Sequence, residues 1–174
     1  MHSSIKFTKL CMGFLPVLML VLIIGCGKKA EISINYTDAA KMAAIYEEAR
    51  DTYNLELLDE IYAPDVIIHD PGSPEPLMGL KALKDYYNNS HAMFSDLKIK
   101  MGNTFISGDR IIWEWTFTGT NTGPMGALPA TGKSVKFSGI AVDKIQNGKI
   151  IEEWVFFDRV NLYQQLGFTL MPPQ

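Results

Sequence analysis

Cysteine and histidine are both scarce in this sequence. Its 174 residues include two cysteines, Cys11 and Cys26, and three histidines. No spacing of cysteine and histidine matches a metal-ligand set, so we expect no bound metal ion. No glycine-rich loop lies between a predicted strand and a predicted helix, and the sequence therefore gives no indication of a nucleotide or any other cofactor.

The sequence also lacks an excess of positive charge. Lysine and arginine number 16 against 19 acidic residues, for a net charge of −3. Nucleic-acid-binding proteins usually carry a basic face, so we expect no nucleic-acid partner. A hydrophobic content of 47% with 20% charged residues is typical of a globular protein, and the length suits one domain.

Charge is absent altogether between Lys9 and Lys28, where the chain is apolar from Phe14 to Ile24. A positive start followed by a short apolar run that ends in small residues is typical of a secretory signal, predicted here over residues 1–25. A single transmembrane anchor is the alternative, because the uncharged run nearly reaches the ~20 residues of a membrane span. Pro16, which interrupts the run, favours the signal.

The end of this run, Ile23-Ile24-Gly25-Cys26, resembles the lipobox of bacterial lipoproteins. The resemblance implies cleavage before Cys26 and attachment of lipid to its thiol. We therefore expect an exported protein, anchored to the cell envelope by that lipid. Gly27 stands where an aspartate would resemble an inner-membrane retention signal, which favours the outer membrane. Residues 26–36 are predicted to be a tether.

The remaining residues, 37–170, are predicted to form one α+β domain. Apolar residues recur at helical spacing over the first half, from a predicted cap at Thr37. From Leu97 onward the period changes to two, and Asn147-Gly148 is a strong hairpin signal between the last two strands. Helices followed by a meander predict a curved antiparallel sheet with helices packed on one face, enclosing an apolar pocket.

Several segments resemble one family in register. They are Leu57 to Asp65 with His69-Asp70-Pro71, Gly79 to Tyr87, Phe94 to Leu97, Gly119 to Gly123, Phe137-Ser138-Gly139, Gly148 to Asp158 and Gln165-Leu166-Gly167. Together they are similar to the SnoaL-like polyketide cyclases, also called ester cyclases. The resemblance covers residues from about Thr37 to Gly167.

This resemblance implies a cone-shaped fold shared with nuclear transport factor two and ketosteroid isomerase, and commonly a homodimer formed through the open sheet face. Polyketide cyclases close a ring by intramolecular aldol condensation without metal or cofactor. An aspartate near the end of the domain is their general acid/base, and the position that matches it best is Asp158.

Two residues are therefore candidates for catalysis. Asp158 follows an aromatic strand, and a carboxylate beside aromatic walls would be desolvated and its pKa raised toward a value suited to proton abstraction. The alternative is that Asp158 pairs with Arg159 or caps the helix that follows. His69 ends a strand beside the turn-rich loop, where a pocket mouth could form, although a solvated surface imidazole is the commoner case.

Five aromatic residues are predicted to line the pocket: Trp113, Trp115, Phe137, Trp154 and Phe156. Such a stripe is also compatible with simple core packing. Strand parity leaves open whether Glu114 or its tryptophan neighbours face the inside.

Two functions remain open from the sequence. One is a cofactor-free enzyme acting on a small apolar carbonyl or ester compound, with Asp158 as acid/base. The other is a binding module of the cell envelope that captures a small apolar molecule without chemistry. Likeness of fold does not choose between them, because function resides in the site.

Overall fold

The computed structural model describes residues 34–169 and residue 171. The predicted signal segment, the lipobox and Cys26 lie outside these residues. Within the described part, no helix is both long and apolar enough to cross a membrane.

Three α-helices and one 3-10 helix precede or flank the sheet. Helix α1 spans Tyr36–Asp51, the 3-10 helix Leu55–Glu60, α2 Leu80–Met93 and α3 Arg159–Gln165. The cap of α1 is Asn35 and not the predicted Thr37, because the Asn35 side chain accepts a hydrogen bond from the Asp38 backbone N–H at 2.9 Å.

Six strands form one sheet in the order β2-β1-β6-β5-β4-β3. Their ranges are β1 Tyr62–His69, β2 Leu77–Met78, β3 Lys98–Ser107, β4 Arg110–Thr120, β5 Ser134–Gln146 and β6 Lys149–Phe157. Every neighbouring pair is antiparallel except β1 and β6. The sheet that the sequence predicted as antiparallel therefore contains one parallel pair. The last strand returns beside the first across the rest of the domain, and parallel pairing requires such a long connection.

A β-bulge changes the alternation of side chains in β6. Ile145 pairs with Ile150, whereas Lys144 pairs with Glu152, so Ile151 is one extra residue on the β6 side. As a result, Ile150 and Glu153 are both buried although they are three positions apart, a spacing that places side chains on opposite faces of a regular strand. Because the side-chain period of a strand is two, everything beyond the bulge faces opposite to the direction that simple alternation gives.

The helices pack against the concave face of the sheet, as the α+β prediction required. One cluster of buried side chains joins α1, the 3-10 helix and α2 to the sheet, and includes Leu58, Val66, Leu83 and Ile111. A second cluster lies around Phe94, Phe117 and Leu166. Partly buried side chains such as Trp115 and Met101 contact both clusters and lie beside the cavity described below.

Candidate active site

A cavity of about 310 Å³ lies between the helices and the concave face of the sheet. Trp113, Trp115 and Phe137 line it, as the sequence predicted. Glu114 is exposed on the opposite face, so the question of parity on β4 is decided in favour of the tryptophans. Much of the remaining wall is apolar and includes Met42, Ile61, Phe94, Met101, Phe117 and Val155. Such a lining suits a small, largely apolar ligand.

Trp154 and Phe156 do not line this cavity, contrary to the prediction. Both lie beyond the bulge in β6 and therefore face the outside of the sheet. Trp154 stacks on His69 with ring centroids 5.2 Å apart, and the guanidinium of Arg110 lies 4.8 Å from the Trp154 ring centroid. Phe156 is 53% exposed.

His69 is also on this outer face. Its Nε2 atom lies 3.1 Å from Oε1 of Glu152, and its side chain is about one-third exposed. The imidazole is absent from the cavity wall. A catalytic role for His69 thus stays a prediction, and the position of the imidazole on the outer face does not support it.

Asp158 lies at the N-cap of α3. The strand ends at Phe157, and the Asp158 carboxylate then accepts a hydrogen bond from the Asn161 backbone N–H at 2.9 Å. The side chain is exposed and is not part of the cavity wall. The expectation of a desolvated carboxylate beside aromatic rings is therefore wrong, and the geometry corresponds to the alternative in which Asp158 caps the following helix.

Two other carboxyl groups are buried in the cavity wall. Asp143 is 2% exposed and Glu153 is 4% exposed. They lie directly opposite each other on β5 and β6, a placement that brings their Cβ atoms to about 5 Å. Trp113 Nε1 donates to Oδ2 of Asp143, and the Tyr62 hydroxyl donates to Oε2 of Glu153, each at 2.6 Å. One donor thus holds each carboxyl in a fixed orientation.

Burial changes the proton affinity of this pair. It raises the pKa of Glu153 to about 7. Burial also raises the pKa of Asp143 well above its ordinary value, and the nearby charge of Glu153 raises it further. Asp143 Oδ1 is buried without a hydrogen-bond partner among the described residues, which makes an ionised Asp143 costly. Both shifts favour the protonated carboxyls, so the pair retains protons at a higher pH than exposed carboxyls do.

A cationic group lies in the same cavity. Arg50, in the last turn of α1, is 5% exposed and lines the wall. Its Nη1 atom donates to the Tyr46 hydroxyl at 3.2 Å, and its guanidinium carbon lies 3.6 Å from the ring centroid of Tyr87. The hydroxyls of Tyr46 and Tyr87 are 3.0 Å apart. These three side chains form a connected polar patch in an otherwise apolar wall.

A third polar group follows β1. One oxygen of Asp70 accepts hydrogen bonds from the Gly72 backbone N–H at 2.6 Å and from the Tyr86 hydroxyl at 2.9 Å. Desolvation raises the pKa of both Asp70 and Tyr86. Arg159 of α3 donates to the carbonyl of Pro71 and, at 2.9 Å, to the Tyr163 hydroxyl. All of these residues except Pro71 line the cavity. The loop after β1 and helix α3 therefore meet at the cavity wall.

The alternation of side chains on the predicted strand contains a signal for Asp143. Asp143 lies six residues after Phe137 on the same predicted strand, so both side chains face the pocket if the strand is regular. Glu153 had no such signal, because the bulge at Ile151 reverses the parity of β6. Among the described residues, no three acidic, histidine or cysteine side chains come together as a metal-binding group.

Comparison with protein families identifies the chain. The profile of the family described as SnoaL-like polyketide cyclase matches residues 40–166. The chain belongs to this family. The match spans all the helices and strands around the cavity, from α1 to α3, and it confirms the resemblance seen in the sequence. No curated protein sequence matches the chain.

Three solved structures share this fold. TsrD from Streptomyces laurentii is 20% identical, with a TM-score of 0.70, over 77% of this chain and 98% of that chain. A provisionally assigned polyketide cyclase from Acidithiobacillus ferrooxidans is 26% identical, with a TM-score of 0.67 and the same two coverages. A protein of ketosteroid isomerase-like fold from Catenulispora acidiphila, solved with trimethylamine, is 13% identical, with a TM-score of 0.64 over 76% and 98%. The predicted cone-shaped α+β fold is thereby confirmed.

Replacing Glu153 with glutamine should weaken the dependence of stability on pH. The carboxyl has a pKa of about 7 in the folded protein against 4.5 for an unperturbed group, so between these values the folded state binds more protons than the unfolded state. The free energy of unfolding of the wild type should therefore fall by a few kcal/mol from about pH 4.5 to about pH 7. Glutamine cannot ionise but still accepts the hydrogen bond from Tyr62, so the variant should be the more stable protein above pH 7.

Urea unfolding at about pH 5 and about pH 8 measures this difference. Glu114→Gln is the matched control, because Glu114 is exposed on the outer face of the sheet. Parallel pH profiles for the wild type and Glu153→Gln would contradict a raised pKa for Glu153.

Proposed function

We propose that this SnoaL-like protein binds a small apolar carbonyl or ester compound in the cavity and transfers protons to and from it without a cofactor. The observation that carries the proposal is the opposed pair of Asp143 and Glu153, buried in the cavity wall. The pKa of about 7 for Glu153 is near the pH at which a general base works best. Family membership adds support, since the family is described by cyclase chemistry.

The two carboxyls would have different roles in the reaction, Glu153 as the general base and Asp143 as a hydrogen-bond donor. The ionised carboxylate of Glu153 takes a proton from the carbon next to the carbonyl, and the electron pair of that C–H bond moves into the enolate. The negative charge that develops on the carbonyl oxygen accepts a hydrogen bond from the protonated carboxyl of Asp143. In a cyclase, the enolate carbon then forms a bond to a second carbonyl carbon of the same molecule, and the π electrons of that carbonyl move to its oxygen. The new alkoxide takes the proton that Glu153 had accepted, which restores the Glu153 carboxylate. Exclusion of water by the aromatic wall strengthens each of these interactions.

The second candidate function is binding without chemistry. The observation that favours it is that both buried carboxyls already accept hydrogen bonds, from Trp113 and Tyr62, as purely structural carboxyls do. In that case the cavity would hold a ligand and the carboxyl pair would only shape its wall. Measurement of proton exchange separates the two functions, because a ligand that is merely held does not exchange its carbon-bound protons.

The enzyme hypothesis predicts accelerated exchange of the α-protons of an enolisable ketone. The probe is 2-tetralone in deuterated buffer, with loss of the α-proton signals followed by proton NMR. The wild type should accelerate the loss, and Glu153→Gln should reduce the enzymatic rate by about 10² to 10⁴, the usual contribution of a general base. Glu152→Gln is the matched control, because Glu152 is next in sequence but contacts His69 on the outer face.

Two outcomes would redirect this proposal. If Asp158→Asn abolishes exchange, the base is Asp158, because asparagine preserves the cap of α3 and removes only the ionisable group. If tetralone binds but the wild type exchanges no faster than buffer, the binding module replaces the enzyme.

We further propose that the protein is exported and anchored to the bacterial outer membrane by lipid on Cys26, as its lipobox-like sequence suggests. Cys26→Ala should abolish incorporation of labelled palmitate and prevent release of the signal segment, measured by autoradiography and by the mass of the chain. Cys11→Ala is the matched control, because it changes a cysteine within the predicted signal and should leave labelling intact. Labelling that persists in Cys26→Ala would contradict the anchor.

Finally, we propose a homodimer formed through the outer face of the sheet. Three large apolar side chains are exposed there, Phe105 at 51%, Ile140 at 41% and Phe156 at 53%. Cross-strand pairs place Phe105 beside Ile112, and Ile140 between Glu114 and Phe156, so the apolar side chains are neighbours on one face. A second copy of the same face would cover them with a self-complementary surface.

Ile140→Asp should convert the dimer to a monomer, since it places a charge at the centre of the apolar face. Sedimentation velocity measures the change in mass. Tyr36→Asp, at an exposed apolar residue at the start of α1, is the control and should leave the dimer unchanged. A monomeric wild type would contradict the proposal outright.

A further inference from the structure

Arg50 is a buried cation without an anionic partner. None of the ion pairs within 4.0 Å among the described residues involves it. Its side chain is nevertheless 5% exposed and lines the cavity. A guanidinium carries five N–H donors, and a charge removed from water is costly unless it is paired. Burial of Arg50 therefore requires other partners for its charge and its N–H groups.

The contacts of Arg50 are neutral. The Tyr46 hydroxyl accepts one hydrogen bond, and the ring of Tyr87 presents its face to the guanidinium. The C-terminal end of α1 adds the partial negative charge of its carbonyls, because Arg50 lies in the last turn. These interactions explain why Arg50 tolerates burial. Among the described residues, only the bond to Tyr46 uses a side-chain donor of Arg50, so most of its five N–H groups are available to a ligand.

The two acidic side chains of the cavity whose charges interact with Arg50, Asp70 and Glu153, accept hydrogen bonds from other donors. One oxygen of Asp70 accepts from Gly72 and Tyr86, and Glu153 accepts from Tyr62. Both carboxyls influence Arg50 only through longer-range attraction, since neither approaches to ion-pair distance. Arg50 therefore lines the cavity with no carboxylate of the described residues within ion-pair distance of its guanidinium.

We infer that the compound bound in the cavity carries a carboxylate, and that Arg50 is the residue that recognises it. Arginine binds carboxylates through two parallel hydrogen bonds, which fixes orientation as well as affinity. The ligand class is thus a small apolar carboxylic acid, with its ring or chain against Trp113, Trp115 and Phe137 and its acid group at Arg50. This inference rests on the proposed function and adds the part of the ligand that the carboxyl pair does not explain.

The test uses two probes of the same shape, 2-naphthoate and 2-naphthamide. They differ in charge, because the amide replaces one carboxylate oxygen with an NH₂ group. The full chain is held in lipid nanodiscs, and binding is measured by titration calorimetry, with empty nanodiscs as the blank. The wild type should bind naphthoate at least about tenfold more tightly than naphthamide, as expected for a hydrogen-bonded charge.

Arg50→Met should remove this preference, because methionine fills much of the volume without a donor. Arg50→Lys should retain part of it, since the charge remains but the fork is lost. Arg110→Met is the matched control, because Arg110 lies over Trp154 on the outer face and should keep the full preference. Circular dichroism establishes whether each variant is folded. If Arg50→Met does not fold, the ratio of the two affinities of the wild type still tests whether the cavity prefers an acid.

Three results would overturn the inference. Equal affinities of the wild type for both probes would show that the cavity binds apolar rings without recognising an acid, and the proposed function would stand. A preference that survives Arg50→Met but disappears in Arg159→Met would assign the anion to the other arginine of the cavity wall. Failure of the wild type to bind either probe would show that the cavity does not bind small aromatic compounds, and this result would contradict the proposed function as well.

Discussion

The bulge in β6 is the constraint on which the character of both sheet faces depends. One extra residue, Ile151, shifts the pairing between β5 and β6 so that Asp143 lies opposite Glu153. Without it, Glu153 would face outward, and Trp154 would occupy the inside of the cone. Since a strand has a side-chain period of two, a single inserted residue exchanges every inward and outward side chain that follows. The cavity thereby gains a second carboxyl, and the outer face gains two large aromatic rings.

The consequences for the interior are electrostatic. Two carboxyls that face each other across neighbouring strands and are 2% and 4% exposed cannot both be ionised without a large cost. The fold maintains them because Trp113 and Tyr62 each donate a short hydrogen bond, and the free energy of burying the apolar wall offsets the remaining cost. On the helical side of the cavity, Arg50 is held by two tyrosines and no acid. The cavity thus combines a pair of buried carboxyls with a buried cation.

The sequence predicted the architecture of the domain better than the details of the site. Helical spacing in the first half, a period of two in the second half and the Asn147-Gly148 turn were sufficient for an α+β domain, because these local patterns depend on which residues neighbour one another along the chain. The cone shape of the sheet was implied by the family resemblance. The same alternation placed Trp113 and Trp115 on one face of their strand, opposite Glu114, but it left open which of the two faces is the inner one. Asp158 was chosen by resemblance to a family motif. Its exposed position at the cap of α3 depends on where β6 ends, which the motif does not specify.

The sequence by itself determined the order of the helices and long strands and the apolar character of the cavity wall. These follow from composition and periodicity, which are local properties of the chain. Only the tertiary structure decided that β1 pairs in parallel with β6, that Asp143 meets Glu153, and that Arg50 lies in the cavity without an acid beside it. Each of these depends on contacts between residues far apart in sequence, and a register shift of one residue is enough to change which side chains meet.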